Sequence, residues 1–419
     1  MKRNKILTAA FLAVSLVSFS EDRMDLDAVL QEIDKNNPEM RIQNLETKVT
    51  DLEKKKFLKD LLPKVNLSID KDFVEDSEDE KNEWHMEEGL GPQSIGVEIP
   101  IYTGGELRAY YNKAKISHEI SKKQLNLVKY QIEEEAIKKY FQILNLRKQK
   151  EIAQMVIDNL NKQGERLEKL FNNGMLVPKS EVLKVKSNII SNEVIKMRRA
   201  EEQRSAEEEL LLLLGKSVES QIELDEYLYD DINIDIYNPE KDSQIAIESG
   251  SAAIKEELLV DRSKADLKIS KSEYLPKIYL DSEYRLKKDD DEYSDYQVSL
   301  VADWEIFNWG RTGDDVLQKS TVLEQAEILR DRNLEEIKLN IRNKYRDIKT
   351  LYAEVDSQKT KLDLEKENMR IDNLRYVNGM VSSLDYLDSV NRLKSAEEEY
   401  YSLQRELVLA VREYENLLK

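Results

Sequence analysis

The alternation of apolar and polar positions predicts a chain built mainly of long helices. In two segments, 103–172 and 312–377, apolar residues recur every three or four positions among Lys and Glu. Such stripes indicate helices that pack on other helices along heptad-like seams. Shorter helical patterns return after each long one. The stripes include Leu125, Val128, Ile132, Ala136 and Tyr140 in the first segment, and Ile337, Ile341, Tyr345, Ile348 and Tyr352 in the second.

A second pattern, strict alternation, precedes each long helix and predicts a pair of strands there. The hairpins are expected at 64–102 and 276–305, each after a helical segment, from Asp25 to about Leu61 and from about Asp242 to Tyr274. Strands with one apolar face and intensely polar loops are a weak signature of an outer-membrane barrel, and an ordinary soluble sheet packed on helices fits them too. The apolar series are Val65, Leu67, Ile69; Ile95, Val97, Ile99, Ile101; Ile278, Leu280; and Tyr296, Val298, Leu300, Ala302, Trp304.

Both long helices end at the same tripeptide, Asn-Gly-Met, within FNNGMLVPKSEVLKV (171–185) and YVNGMVSSLDYLDSV (376–390). Gly174 and Gly379 can take the left-handed conformation that ends a helix. Pro178 suits the start of the next helix, and Ser382 with Asp385 three residues later predicts a capping arrangement. The two breaks are therefore expected to be the tips of helical hairpins.

Matching phrases in the same order predict an internal duplication. LLPKVNLSID (61–70) is echoed by YLPKIYLDSE (274–283), and EIPIYTGGELR (98–108) by DWEIFNWGRTG (303–313). The expected repeats are 21–215 and 242–419, joined by an equatorial linker, 216–241. Each contains a helix, a strand hairpin, a long helix and a return helix, the last at 178–215 or 383–419. The predicted fold class is mostly α, with long antiparallel coiled-coil helices and four strands per chain.

The N-terminus indicates the cellular compartment, and the composition excludes some classes of partner and chemistry. Residues 1–20, MKRNKILTAAFLAVSLVSFS, have the positive start, short apolar run and small residues of a secretory signal peptide, and the run is short for a membrane anchor. No later segment has the apolar length of a membrane-spanning helix. A net charge of −19 disfavours a nucleic-acid partner, and the absence of Cys excludes disulfides and thiolate chemistry.

The strand count bears on assembly, and the motifs bear on activity. Lipid tolerates strands only in closed barrels, which rarely have fewer than eight strands, so four strands per chain would require several chains to share one barrel.

The sequence contains no P-loop, nucleophile elbow or metal-binding cluster, so neither an enzyme nor a cofactor is expected. An exported coiled-coil structural or adaptor protein without a pore is the alternative to a channel.

Taken together, the motifs resemble those of TolC-family outer-membrane efflux proteins over nearly all of residues 24–419. The resemblance implies a homotrimer with one twelve-stranded barrel in the outer membrane and a large periplasmic helical tunnel. It also implies a periplasmic adaptor and an inner-membrane pump as partners, in tripartite efflux or type I secretion of small molecules or polypeptides. The motifs are DLDAVLQEIDKNNPEM (25–40), LLPKVNLS (61–68), EIPIYTGGELRA (98–109), NNGMLVPKSEVL (172–183), LLLLLGK (210–216) and NGMVSSLDYLDS (378–389).

The same resemblance assigns a periplasmic gate to Asp385, Asp388 and Tyr376. A spacing of three puts both carboxylates on one helix face, although acids near a helix start also favour its dipole. Neither belongs to the apolar stripe, so we expect alanine at both positions to cost little stability. Val381 and Ser180 depart from the family pattern, since some members carry a base and an acid there.

The two helical tips are the expected contact with the adaptor. The residues concerned are Gly174, Met175, Gly379 and Met380. A role in closing the turns would by itself explain the glycines.

Overall fold

The computed structural model describes residues 23–69, 93–173, 178–227, 233–286, 295–378 and 380–419. The predicted signal peptide, the strand loops 70–92 and 287–294, and the tip residues Gly174, Met175 and Gly379 lie outside these ranges. The elements are α1 Leu26–Asn36, α2 Pro38–Lys59, β1 Lys64–Ile69, β2 Gln93–Thr103, α3 Glu106–Asn172, α4 Lys179–Leu213, a 3-10 helix Ile234–Ile236, α5 Pro239–Ser249, α6 Ser251–Ser272, β3 Lys277–Leu286, β4 Asp295–Asp303, α7 Arg311–Val377 and α8 Ser383–Leu417.

Each helical segment before a hairpin is divided in two, where the sequence pattern predicted one helix. α1 and α2 are separated at Asn37, whose side chain accepts the Met40 N–H at 2.9 Å and caps α2, with Pro38 at its first turn. α5 and α6 are separated at Gly250. None of the described helices has a stretch long and apolar enough to cross a membrane.

The four strands form one antiparallel sheet in the order β1-β2-β3-β4. Val65 lies opposite Val97, and Leu280 lies opposite both Ile99 and Leu300. Because side chains alternate along a strand, this register collects the apolar series on one face as far as Ile99 of β2. An irregularity between Pro100 and Tyr102 then places Tyr102, and not the predicted Ile101, opposite Ile278. The sheet is therefore amphipathic, with β1 and β4 as its two edges.

The chain divides into two compact units, of which the first comprises residues 1–35 and 136–230. Its core contains the fully buried side chains of Ile33, Phe141 and Leu210, from α1, α3 and α4. The Tyr140 hydroxyl donates to the backbone carbonyl of Asp225 at 2.9 Å, and burial raises the pKa of Tyr140 to about 12. These contacts hold the described part of the linker that follows α4 against α3.

The second unit comprises residues 36–135 and 231–419, and includes the sheet and the hairpin of α7 and α8. Its described core contains Ala246, Ile341, Ile348, Leu407, Ala410, Val411 and Tyr414. The Tyr414 hydroxyl donates to Asp242 Oδ2 at 2.5 Å, and its ring packs edge-on against Tyr237. Burial, followed by the hydrogen bond to Asp242, raises the pKa of Tyr414. α5 is thereby joined to the α7–α8 hairpin.

Candidate functional site

The tip between α7 and α8 is closed by backbone bonds and one asparagine. The Asn378 N–H and its side-chain Nδ2 both donate to the Leu374 carbonyl, at 3.2 and 2.9 Å. The Met380 N–H donates to the Arg375 carbonyl at 2.8 Å, five residues back, as in a Schellman closure. Carbonyls at the end of α7 are thus satisfied without tertiary contacts, and the Met380 side chain is left 74% exposed.

α8 begins with a complete capping box, which confirms the arrangement predicted for Ser382 and Asp385. Ser382 Oγ accepts the Asp385 N–H at 3.2 Å, and Asp385 Oδ2 accepts the Ser382 N–H at 3.3 Å. The Ser382 hydroxyl also donates to Asp385 Oδ2 at 2.8 Å. Asp385 is exposed, but its carboxylate already stabilises the first turn of α8.

Asp388 lies one turn further along the exposed side of α8 and binds Arg392, four residues later. The Arg392 guanidinium also approaches two acids of α7: its Nε lies 3.5 Å from Glu365 Oε2, and its Nη2 lies 3.7 Å from Asp372 Oδ2. Of the three carboxyl groups, that of Glu365 is the least exposed. We call Glu365, Asp372, Asp388 and Arg392 the arginine cluster.

Tyr376 joins the same two helices by an aromatic contact. Its ring stacks on Tyr386 of α8 with centroids 4.9 Å apart and an angle of 15° between the planes. Tyr386 is buried, and burial raises the pKa of its hydroxyl, followed in effect by Tyr376. In the structure Tyr376 therefore packs within its own hairpin.

The end of the first hairpin, in the other unit, is described only beside its tip. Pro178 is the N-cap residue of α4. Lys186 Nζ lies 2.6 Å from Glu168 Oε1, which joins α4 to α3. Gln163 of α3 is buried, and within the described structure neither of its amide atoms has a hydrogen-bond partner. Ser180 is exposed.

The chemistry available at the second tip is electrostatic. Asp385 and Asp388 are exposed, whereas Glu365 and Asp372 are partly buried, and these acids can attract cations or hold a neighbouring base. Across the described residues, no group of three or more His, Cys, Asp or Glu side chains is placed to hold a metal ion.

Comparison with known proteins decides the family. The sequence profile described as "Outer membrane efflux protein" matches residues 29–216 and 253–418, more than half of the chain. The chain belongs to the outer membrane efflux protein family. No curated protein matches it.

Solved structures with the fold of this outer membrane efflux protein include the transmembrane channel CusC, VceC of Vibrio cholerae and the outer membrane channel MtrE of Neisseria gonorrhoeae in its open state. Their sequence identities are 16%, 15% and 14%, and their TM-scores are 0.78, 0.77 and 0.76. Each matches 94% of this chain, and the matches cover 91%, 95% and 88% of the respective structures.

These findings confirm the resemblance drawn from the quoted motifs. The predicted fold class, helical with four antiparallel strands, is confirmed by the structure and its neighbours, and the outer-membrane location by the family. The gate and tip assignments stay predictions.

Sequence reasoning missed Arg392 in this efflux protein. Its spacing of four from Asp388 would have indicated a pair on one helix face. The approach to Asp372 and Glu365 had no local signal, because both acids lie on the other helix of the hairpin. Val381, where some members carry a base, is partly buried, and the base in contact with Asp388 is instead Arg392.

Proposed function

We propose that this efflux protein is a trimeric channel-tunnel that exports small molecules or polypeptides delivered by an inner-membrane pump through a periplasmic adaptor. The observation that carries the proposal is the second hairpin. α7 has 67 residues, a length of about 100 Å, and runs from the amphipathic sheet to a tip with several acids. A membrane sheet joined to a long hairpin suits a passage that crosses one membrane and extends well beyond it.

The open sheet supports assembly from several copies. β1 and β4 each have one edge that is unpaired among the described strands, and the apolar face includes exposed Val65, Leu67 and Leu300. Unpaired edges cannot face lipid, because their backbone N–H and C=O groups would have no partners. β4 of one copy beside β1 of the next would satisfy both edges, and three copies would give twelve strands.

α2 supports the same assembly, because its apolar stripe faces away from its own chain. Ile42, Leu45, Val49 and Leu52 follow the spacing of a coiled-coil seam and are all exposed. The side of α2 that packs on its own chain is largely polar: Thr50 contacts His118 and Ser121 of α3. We propose that a neighbouring copy covers this seam.

We propose that the acids of the second tip form the periplasmic gate. Three copies would place Asp385 and Asp388 around the tunnel axis, with Tyr376 holding α7 against α8. We propose that the tips, with Gly174, Met175, Gly379 and Met380, contact the adaptor, and the exposed side chain of Met380 supports this.

Purified chain in planar lipid bilayers tests the proposal. We expect stepwise single-channel conductance, and a trimer in unheated gel samples that becomes a monomer on heating. A monomeric rod without conductance would instead support the exported structural or adaptor protein.

A further inference from the structure

The contact between α2 and α3 is built around a buried histidine, His118 of α3, which is 7% exposed. Thr50 Oγ1 of α2 lies 3.2 Å from His118 Nδ1 and 2.8 Å from Ser121 Oγ. On the other side of the ring, Asp51 Oδ1 lies 3.8 Å from His118 Nε2. Both ring nitrogens therefore face polar groups of α2, and these contacts help to hold α2 against its own chain.

Two hydroxyl groups determine what the network requires of His118 Nδ1. Thr50 Oγ1 also contacts the Thr47 carbonyl at 2.9 Å, and Ser121 Oγ contacts the His118 carbonyl at 2.8 Å. Two hydroxyl protons cannot serve all four contacts. If the His118 Nδ1–H donates to Thr50, Thr50 to Ser121 and Ser121 to the His118 carbonyl, three of the contacts have a proton. If Nδ1 accepts instead, at most two have one, so the network favours a proton on Nδ1.

Asp51 favours a proton on the other nitrogen, Nε2. Lys54 and Lys55 each lie 2.6 Å from its carboxylate and hold the pKa of Asp51 well below its usual range, so the carboxylate is charged in neutral and mildly acidic solution. A neutral imidazole has one N–H and meets one of the two requirements, whereas the imidazolium has two and meets both. Histidine is the side chain whose ordinary pKa, about 6.5, brings such a second proton into the physiological range.

Burial opposes a charge on the ring, and further charges lie on the neighbouring turns. Those of α3 and α6 are Lys113, Lys115, Glu119, Lys122, Asp266 and Arg262. Each acid among them has a lysine partner, Glu119 at 2.9 Å and Asp266 at 2.6 Å. Within the described structure, Asp51 is the acid that lies within 4 Å of the imidazole, and the long basic side chains extend their charged ends towards water. A negative charge next to the ring favours its protonated form.

We propose that His118 is a pH-dependent clamp between α2 and α3. When the imidazole gains its second proton, Nδ1–H binds Thr50 while Nε2–H pairs with Asp51, and α2 is held more firmly. When that proton leaves, one of the two contacts is lost. The clamp itself is independent of the proposed function. Its consequence for assembly rests on that function, because α2 carries the apolar seam that a neighbouring copy would cover.

Hydrogen exchange in the full chain tests the clamp. Peptides covering residues 44–56 report how often α2 opens, after correction for the intrinsic pH dependence of amide exchange. We expect opening to be several-fold rarer at about pH 5.5 than at about pH 7.5, which lie on either side of the ordinary pKa of histidine. Peptides around Ile341 and Ile348, in the core of the same unit, are the internal reference and should not show this ratio.

Three variants identify the groups responsible. Asp51→Asn removes the charge beside the ring, and His118→Gln keeps a polar side chain that does not titrate in this range, so both should bring the ratio close to one. Asp51 is partly exposed, and its replacement is therefore tolerated even where that of the buried His118 is not. His85→Gln is the matched control, because it removes the other of the two histidines and should keep the wild-type ratio.

The remaining outcomes overturn the clamp. Equal opening of α2 at the two pH values, or more frequent opening in acid, contradicts it. So does a full ratio in both Asp51→Asn and His118→Gln, because other groups would then be titrating. Thermal midpoints of the trimers at the same pH values separate the two proposals: a pH-dependent α2 in a chain that forms no trimers supports the clamp and contradicts the proposed assembly.

Discussion

At the scale of single residues, Asp385 has two roles, and a single substitution to alanine would remove both at once. Its carboxylate contributes charge at the tip and also accepts the Ser382 N–H in the capping box. The expectation that alanine at both aspartates costs little stability did not take this capping contact of Asp385 into account. Loss of such a cap contact costs about 1 kcal/mol of helix stability.

Asparagine separates charge from capping in the first prediction. Asp385→Asn with Asp388→Asn keeps an acceptor oxygen at each position but removes two charges per chain. We expect weaker cation selectivity and weaker block by trivalent cations, because the field at the entrance is less negative. Single-channel recording with the cation on the periplasmic side measures both.

The control for this prediction is Glu399→Gln, which removes a charge from an exposed position of α8 distant in sequence from the tip. An Asn double variant that matches wild type in block and selectivity would reduce both aspartates to helix-start residues. Asp385→Ala should in addition lower the thermal midpoint, and Asp385→Asn should not.

At the scale of elements, the arginine cluster joins α7 to α8 close to their shared tip. Arg392 is the cation that approaches all three of its carboxylates, two of which belong to α7. The Arg392 side chain is 44% exposed, so each pair stabilises the hairpin by no more than about 1 kcal/mol. The larger effect of Arg392 is that its positive charge reduces the repulsion between the three acids, which lie close together on the two helices.

The second prediction is that Arg392→Gln separates the ends of α7 and α8. Without Arg392 the carboxylates of α7 and α8 repel each other more strongly, although Asp372 keeps Arg375 at 3.8 Å, so we expect higher open probability and a slightly lower thermal midpoint. Adding Glu365→Gln and Asp372→Asn should restore both towards wild type, because the repelling charges are then gone.

Arg370→Gln is the matched control, since Arg370 pairs with Glu367 on α7 itself. It removes the same charge without leaving acids unpaired on both helices. If Arg392→Gln behaves like Arg370→Gln in channel recordings, the arginine cluster has no part in gating.

At the scale of the whole molecule, the seam of α2 decides whether one chain is complete by itself. The apolar stripe of α2 faces away from its own chain and needs a partner helix to remove it from water. It consists of Ile42, Leu45, Val49 and Leu52. The edges of β1 and β4 that are unpaired among the described strands also need partners.

The third prediction concerns this seam. Leu45→Glu with Leu52→Glu should abolish heat-labile trimers, because charges would enter the interface between copies. The helical content of the chain should persist, since neither side chain belongs to its buried core. Val218→Glu, at an exposed apolar position that follows α4, is the control and should leave trimers intact. Trimers that survive the double substitution would show that another surface holds the copies together.

Local rules explain how much of the fold the sequence determined. Periods of 3.6 and 2 identified the long helices and the strands, because these repeats follow from backbone geometry alone. The capping box at Ser382 and Asp385 could also be predicted from the sequence, because its bonds span only three residues. The breaks at Asn37 and Gly250 were missed, although a cap residue or glycine marks each of them.

The tertiary structure alone decided what covers each face and which charges meet. Periodicity shows that α2 has an apolar side, but only packing shows that this side faces away from its own chain. Arg392 meets Asp372 and Glu365 because of the register between two helices, which no local pattern contains. The contacts of His118 with Thr50 and Asp51 likewise depend on how α2 packs on α3. Sequence determines the faces of an element, whereas their partners depend on how distant elements are brought together in space.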